Sequence, residues 1–131
     1  AGFAGLSTVH GAPELARAVY EGVAFNIRAC VEAFERAGVA LHRIHLAEGG
    51  ARSPAWCGII ADVLGREVHV VEQGDTSATG AAILARAGVE GGNLADIVGR
   101  CVRIGRVHRP RRHEALERAW QRFRDHAGGL P

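Results

Sequence analysis

The 131-residue chain has the length of one domain or part of one, and with 47% hydrophobic and 23% charged residues it is neither disordered nor collagen-like. A net charge of +2 gives the whole chain no strong pull on nucleic acid. No stretch approaches the roughly 18 apolar residues of a membrane span, and the opening AGFAGLSTVHG lacks the pattern of a signal peptide.

All 16 basic residues are arginine, so no lysine is available as a phosphate ligand or Schiff-base former. Cys30, Cys57 and Cys101 are far apart and lack zinc-type spacing, as expected of reduced thiols in a cytoplasmic protein.

Residues 1–12 read as a loop, and a chain that opens with neither strand signal nor initiator Met is expected to be a piece of a longer protein. Pro13 to Ala37 predicts a long helix. Pro suits a first turn, Gly38 suits the stop, and Leu15, Val19, Gly22/Val23, Ile27, Cys30/Val31 and Phe34 recur at the spacing of one buried face. Gly22 suggests close approach of another backbone. Arg43 to Ala47 predicts a strand, broken by Gly49-Gly50. Ser53-Pro54 is an N-cap and first-turn pair for a second helix with Trp56, Ile59, Ile60, Val63 and Leu64 as its apolar face, ending at Gly65.

Glu67 to Val71 predicts a second strand. Asp75 or Thr76 caps a third helix running to Gly88, whose small residues Ala78, Gly80, Ala81, Ala82 and Ala85 predict tight packing. After a turn at Glu90 to Asn93 come one helical turn at Leu94 to Val98, a third strand at Val102 to Val107 and a last helix, Glu114 to Ala127. Leu116, Ala119, Trp120 and Phe123 lie at helical spacing there, with Gly128-Gly129 as the stop. Alternation of strands and helices predicts an α/β protein with a mostly parallel sheet flanked by helices.

The stretch that points to chemistry is IHLAEGGARSPAWCGIIADVL, residues 44–64: a strand, a Gly-Gly turn and a capped helix. In open α/β sheets ligands sit beyond the carboxyl ends of strands. Glycines without Cβ let a flat ring or ribose approach the backbone, and a helix N-terminus offers free N–H groups. A tight turn with no ligand is the plainer reading of Gly-Gly alone. The pattern is neither a Walker A loop, which needs a lysine, nor G-x-G-x-x-G.

The run GGARSPAW, then ADVLG, then DTSATGAA resembles the C-terminal domain of the FGGY carbohydrate kinases, its Ser-Pro-x-Trp being typical of xylulokinase-like members. FAGLSTVHGAPELARAVYEGVAFNIR is similar to the family's G-L-S…R-A-V-x-E-G-x-A-F stretch, and the tail fits as well. The resemblance covers nearly the whole chain, residues 1–131, as the C-terminal nucleotide-binding domain of such a kinase. It implies an RNase H-like lobe of the actin/hexokinase type, lacking its N-terminal part. It further implies ATP as phosphoryl donor, Mg²⁺ held mainly by the nucleotide and the missing lobe, and transfer of the γ-phosphate to a sugar hydroxyl, with D-xylulose as the best single substrate. The catalytic Asp falls outside this chain, so no catalytic residue and no metal ligand is assigned in it. Carried over by position, Gly49, Gly50 and Ala51 line the adenine and ribose, with Arg52, Ser53 and Pro54 at the pocket edge. Glu48 stands where many xylulokinases have a third Gly. It either meets a ribose hydroxyl or points to solvent, and the solvent reading is preferred.

The expected partners are the sugar, ATP and the missing N-terminal lobe, with no nucleic acid and no membrane; a homo-oligomer is compatible with the sequence. The competing readings are a non-catalytic actin-like nucleotide-binding or interaction module and, more weakly, a nucleic-acid binder using the run Arg100 to Arg112. That run lacks aromatics for base stacking and reads as a solvated edge strand. His45 and His69 are expected on one sheet face, as structural residues rather than metal ligands. Glu21 and Asp62 read as packing and structural carboxylates.

Overall fold

The computed structural model describes residues 2–111 and 113–128, ordered as α1 (Ala12–Arg36), β1 (Ile44–Leu46), α2 (Glu48–Ala51), α3 (Pro54–Leu64), β2 (Val68–Val71), α4 (Thr76–Glu90), α5 (Leu94–Cys101), β3 (Ile104–His108) and α6 (Glu114–Gly128). The α/β class stands. Gly129, half of the expected final stop, lies outside the described residues, as does Arg112 of the basic run.

The three strands lie in the order β1-β2-β3. β1 and β2 are parallel, with Ile44, His45 and Leu46 opposite Val68, His69 and Val70. β3 runs antiparallel to β2, pairing Ile104 with Val71 and His108 with Val68. The expectation of a mostly parallel sheet is therefore corrected. Between β1 and β2 the main helix, α3, carries the chain back to begin a parallel strand. Between β2 and β3 stand two helices, α4 and α5, packed on each other. The second undoes the return of the first, so β3 starts where β2 ended.

One face of the sheet carries the core. α3 packs on β2 and β3, α1 packs on α3, and α6 meets α1. The buried cluster joins Ala24 and Phe25 of α1, Ile60, Ala61 and Val63 of α3, Val68 of β2, and Leu116 and Trp120 of α6. Arg28 ties three helices together. Its guanidinium lies 4.7 Å above the Trp120 ring, pairs with Glu117 at 2.8 Å, and reaches the Val63 carbonyl at 3.4 Å. The Arg28 hydrogen bond holds the Glu117 carboxyl below the usual carboxylate range.

Two packing expectations are corrected. On α1 the buried side chains are Ala24 and Phe25, whereas Val19 and Phe34 of the expected face are 53% and 55% exposed. A Cβ on Gly22 would meet nothing within 4 Å among the described residues, so this glycine marks no close approach. On α4, Ala78, Ala81, Ala82 and Ala85 are exposed, and Ile83 is the buried residue facing α5.

Asp62 is structural, as expected. Its side chain, 5% exposed, accepts the Arg111 backbone N–H at 2.7 Å and the Arg111 guanidinium at 3.2 Å, which fixes the entry to α6. Asp62→Ala should lower stability by about 1–2 kcal/mol, read as a shift of the urea midpoint at constant slope. An unchanged midpoint would show that this entry is not pinned by the carboxylate. Glu21 pairs instead with Arg17 at 2.7 Å, so the two carboxylates do not form an acid–base couple.

Candidate nucleotide-binding edge

The carboxyl ends of the parallel pair face the same side, and two connections start there: residues 47–53 after β1 and residues 72–75 after β2. The Gly-Gly turn is itself helical, since Glu48–Ala51 forms the single turn α2. Gly49 and Gly50 are exposed. A Cβ on Gly49 would meet nothing within 4 Å, and one on Gly50 would rest against the Trp56 indole at 3.4 and 3.6 Å. The bend is thus open on one side and backed by Trp56, which in turn meets the Tyr20 ring at 5.5 Å. Buried Cys57 points its thiol at the Ala51 carbonyl, 3.6 Å away, and burial pushes that thiol's pKa up. It is a packing residue.

Ser53 and Pro54 act locally. Ser53 caps α3 by accepting the Trp56 N–H at 3.3 Å, and Pro54 at the first helical position has no N–H to offer. Of the first three residues of α3, only Ala55 presents a backbone donor. The expected free N–H groups are therefore reduced to that of Ala55, because the sequence features that start the helix also use its other donors. Arg52 is exposed beside this edge.

The N-terminus of α4 is likewise occupied. Asp75 accepts the Ala78 N–H at 2.8 Å. Glu48 accepts the Thr76 N–H at 2.6 Å and also the Thr76 hydroxyl. These bonds from Thr76 hold the Glu48 carboxyl below the usual carboxylate range. Glu48 is exposed, as preferred, and its backbone bend, at φ 59°, also sends the side chain across to the next connection. Two carboxylates stand at this rim, and their charge opposes that of a phosphate group.

Beside the turn lies a groove of about 280 Å³ between the end of β2 and the α4–α5 pair, lined by Val71, Thr76, Gly80, Ile83, Leu94 and Val98 among others. Its lining is largely apolar, as in sites that hold flat organic groups. Thr76 belongs both to this groove and to the Glu48 contact. No local sequence signal marks these residues as lining one groove.

Other candidates separate from this edge. His45 and His69 face each other across the parallel pair, ring centroids 5.8 Å apart. Among the described residues no group of three His, Cys, Asp or Glu side chains is arranged to hold a metal ion. The basic run is split among α5, β3 and the approach to α6, with Arg109 on Glu67 at 3.1 Å and Arg111 on Asp62. Among the described residues no helix is long and apolar enough to cross a membrane.

The side-chain-free turn and the apolar groove lie at the carboxyl edge of a parallel pair, the edge at which open α/β sheets hold their ligands. The chain belongs to the FGGY family of carbohydrate kinases, its residues 1–89 matching the profile of that family's C-terminal domain. It is 39% identical over 85 residues to the xylulose kinase of Escherichia coli K12, a match covering 64% of this chain and 18% of that protein. Two solved structures share the fold. The xylulose kinase of Rhodospirillum rubrum aligns at TM-score 0.79 and 35% identity over 97% of this chain and 26% of its own. The xyloylose kinase from Brucella ovis aligns at TM-score 0.85 and 32% identity over 98% of this chain and 27% of its own. The chain therefore spans about a fifth of the length of the curated relatives it matches.

Proposed function

We propose that residues 1–131 are the nucleotide-binding C-terminal part of a carbohydrate kinase, an RNase H-like lobe that holds the adenosine end of ATP. Gly49, Gly50 and Ala51 form the surface against which the base and ribose lie, with Arg52, Ser53 and Pro54 at the rim. The observation that carries this reading is the open face of α2, where a Cβ on Gly49 would meet nothing within 4 Å. The few spare donors at the starts of α3 and α4, with the Glu48 and Asp75 carboxylates beside the latter, support an adenosine end rather than a phosphate end.

The phosphates would then project toward the second lobe of the complete enzyme, which brings the sugar and the base that takes its hydroxyl proton. Mg²⁺ travels with the nucleotide and offsets charge on the transferred phosphoryl group. Glu48 and Asp75 are committed to backbone N–H groups and are not its ligands. What this chain contributes is position: a backbone surface for the base, and a capped, rigid helix behind it. Catalysis of phosphoryl transfer rests mostly on such positioning and on electrostatics.

D-xylulose is the substrate favoured by the relatives' names, which also include a ribulokinase and an L-xylulose/3-keto-L-gulonate kinase. The test is ATP-dependent phosphorylation of a panel of ketoses and polyols by the full-length enzyme, followed by ADP release. D-xylulose should give the highest kcat/KM, and the isolated 131-residue chain should transfer nothing. Transfer by that chain alone would refute this division of labour. No transfer to any sugar by the full-length enzyme would favour a non-catalytic nucleotide-binding module.

A further inference from the structure

Among the described residues Glu48 is the one non-glycine residue with positive φ, at 59°. This left-handed conformation suits glycine and is disfavoured for a side chain as large as Glu. What the conformation secures is visible in the contacts. It turns the chain from β1 into α2 and aims the carboxylate at Thr76, the first residue of α4. Thr76 offers two donors, its N–H and its hydroxyl, and a carboxylate is a pure acceptor that takes both. The charged groups around the Glu48 carboxylate are Asp75 on the α4 connection, which opposes its charge, and Arg52 at the end of α2, which favours it.

This bond spans 28 residues of sequence and joins the two connections that flank the candidate site. On one side is the Gly49–Gly50 surface. On the other, Thr76 lines the apolar groove. Nothing else among the described hydrogen bonds links α2 to α4. We propose that Glu48 is a positioning residue, a carboxylate latch that fixes the distance between the Gly49–Gly50 turn and the groove, and so sets the width of the adenosine cleft. The latch is a property of the chain itself; its effect on ATP rests on the nucleotide reading above.

The sign of its pH dependence follows from the direction of the shift. A carboxyl held below the ordinary range is ionised and latched at neutral pH, and it releases as pH falls through its own folded value. Thr76 is the reporter of Glu48, because Glu48 takes the Thr76 amide whereas Asp75 takes that of Ala78.

The test uses amide NMR on the 131-residue chain, with Glu48→Gln and Glu48→Gly variants. The Thr76 amide should titrate with a midpoint below that of freely exposed glutamates, and this Glu48 titration should vanish in E48Q. Removal of the acceptor in E48G should free the Thr76 N–H and speed its amide exchange about three- to fivefold. E48G is the sharper control, since glycine accepts φ 59° freely and removes the latch alone. A Thr76 amide blind to E48Q, or unchanged exchange in E48G, overturns the latch. In the full-length kinase E48Q should raise the ATP KM about three- to fivefold, with kcat and the sugar KM within about twofold. A lost latch with unchanged ATP KM overturns the positioning role. A latch that behaves as described while nucleotide binds elsewhere would leave it standing and remove the adenosine assignment.

Discussion

Replacing Trp120 by alanine should cost the chain about 3–5 kcal/mol, the range for truncating a buried large aromatic. Trp120 is 2% exposed, stacks on Phe123 at 5.8 Å and meets Phe25 of α1 at 5.6 Å, with the Arg28 guanidinium on its face. Removing it opens a cavity where α1, α3 and α6 converge and unseats the Arg28–Glu117 pair. Stabilities of small domains lie near 5–15 kcal/mol, so a large part of the total goes at once. Trp120→Phe keeps an aromatic ring against Phe25 and should cost about 1–2 kcal/mol. Urea melts of both variants decide the matter. A loss below about 1 kcal/mol for the alanine variant would mean that α6 is not part of the core.

Half of that contact was legible in the sequence. Leu116, Ala119, Trp120 and Phe123 recur at helical spacing on a helix that is polar elsewhere, so only one face can be buried. The partner face on α1 was not legible. That helix is apolar around much of its circumference, and Val19, Val23 and Phe34 form as good a stripe as the one containing Phe25. Periodicity cannot choose between two apolar faces, and the described residues cover only one. The direction of β3 was hidden for a related reason. Alternating strands and helices imply a parallel sheet only when each crossover holds one returning helix. The single turn expected at Leu94 to Val98 is in fact a helix of two turns, Leu94–Cys101, capped by Asn93.

Valine at position 49 or 50 should weaken ATP binding by the full-length enzyme at least about tenfold, roughly 1.4 kcal/mol. The two positions separate causes. At Gly49 an added Cβ meets no atom of another element within 4 Å among the described residues, so affinity lost with an unchanged melting temperature is exclusion of the ligand. At Gly50 the Cβ just touches Trp56 at 3.4 Å, and the γ-carbons of valine must press on the indole or occupy the cleft. Gly50→Ala should be tolerated by the fold and serves as control. The readout is ATP affinity by calorimetry, with the melting temperature measured alongside. Unchanged affinity in Gly49→Val, with fold intact, would remove the turn from the binding surface.

At the site itself, the positions were more legible than their chemistry. A strand, two glycines and Ser-Pro mark a turn and a helix start from residue types alone, and the structure puts Gly49, Gly50 and Ala51 together on α2. The role of Glu48 was invisible because its partner, Thr76, is distant in sequence and belongs to the connection after a different strand. The groove escaped for the same reason: Val71, Ile83, Leu94 and Val98 converge only once α4 and α5 fold back on each other. Features local to a few residues could be read in advance, and those made by two connections meeting at one sheet edge could not.

The central claim is that adenosine lies against the backbone of Gly49 and Gly50. A crystal structure of the full-length enzyme with ADP measures this directly. The account predicts the base and ribose within van der Waals contact of these two residues, about 4 Å or closer, beside the groove that Thr76 lines. ADP seated away from that turn, with Gly49 still facing open solvent, would contradict it.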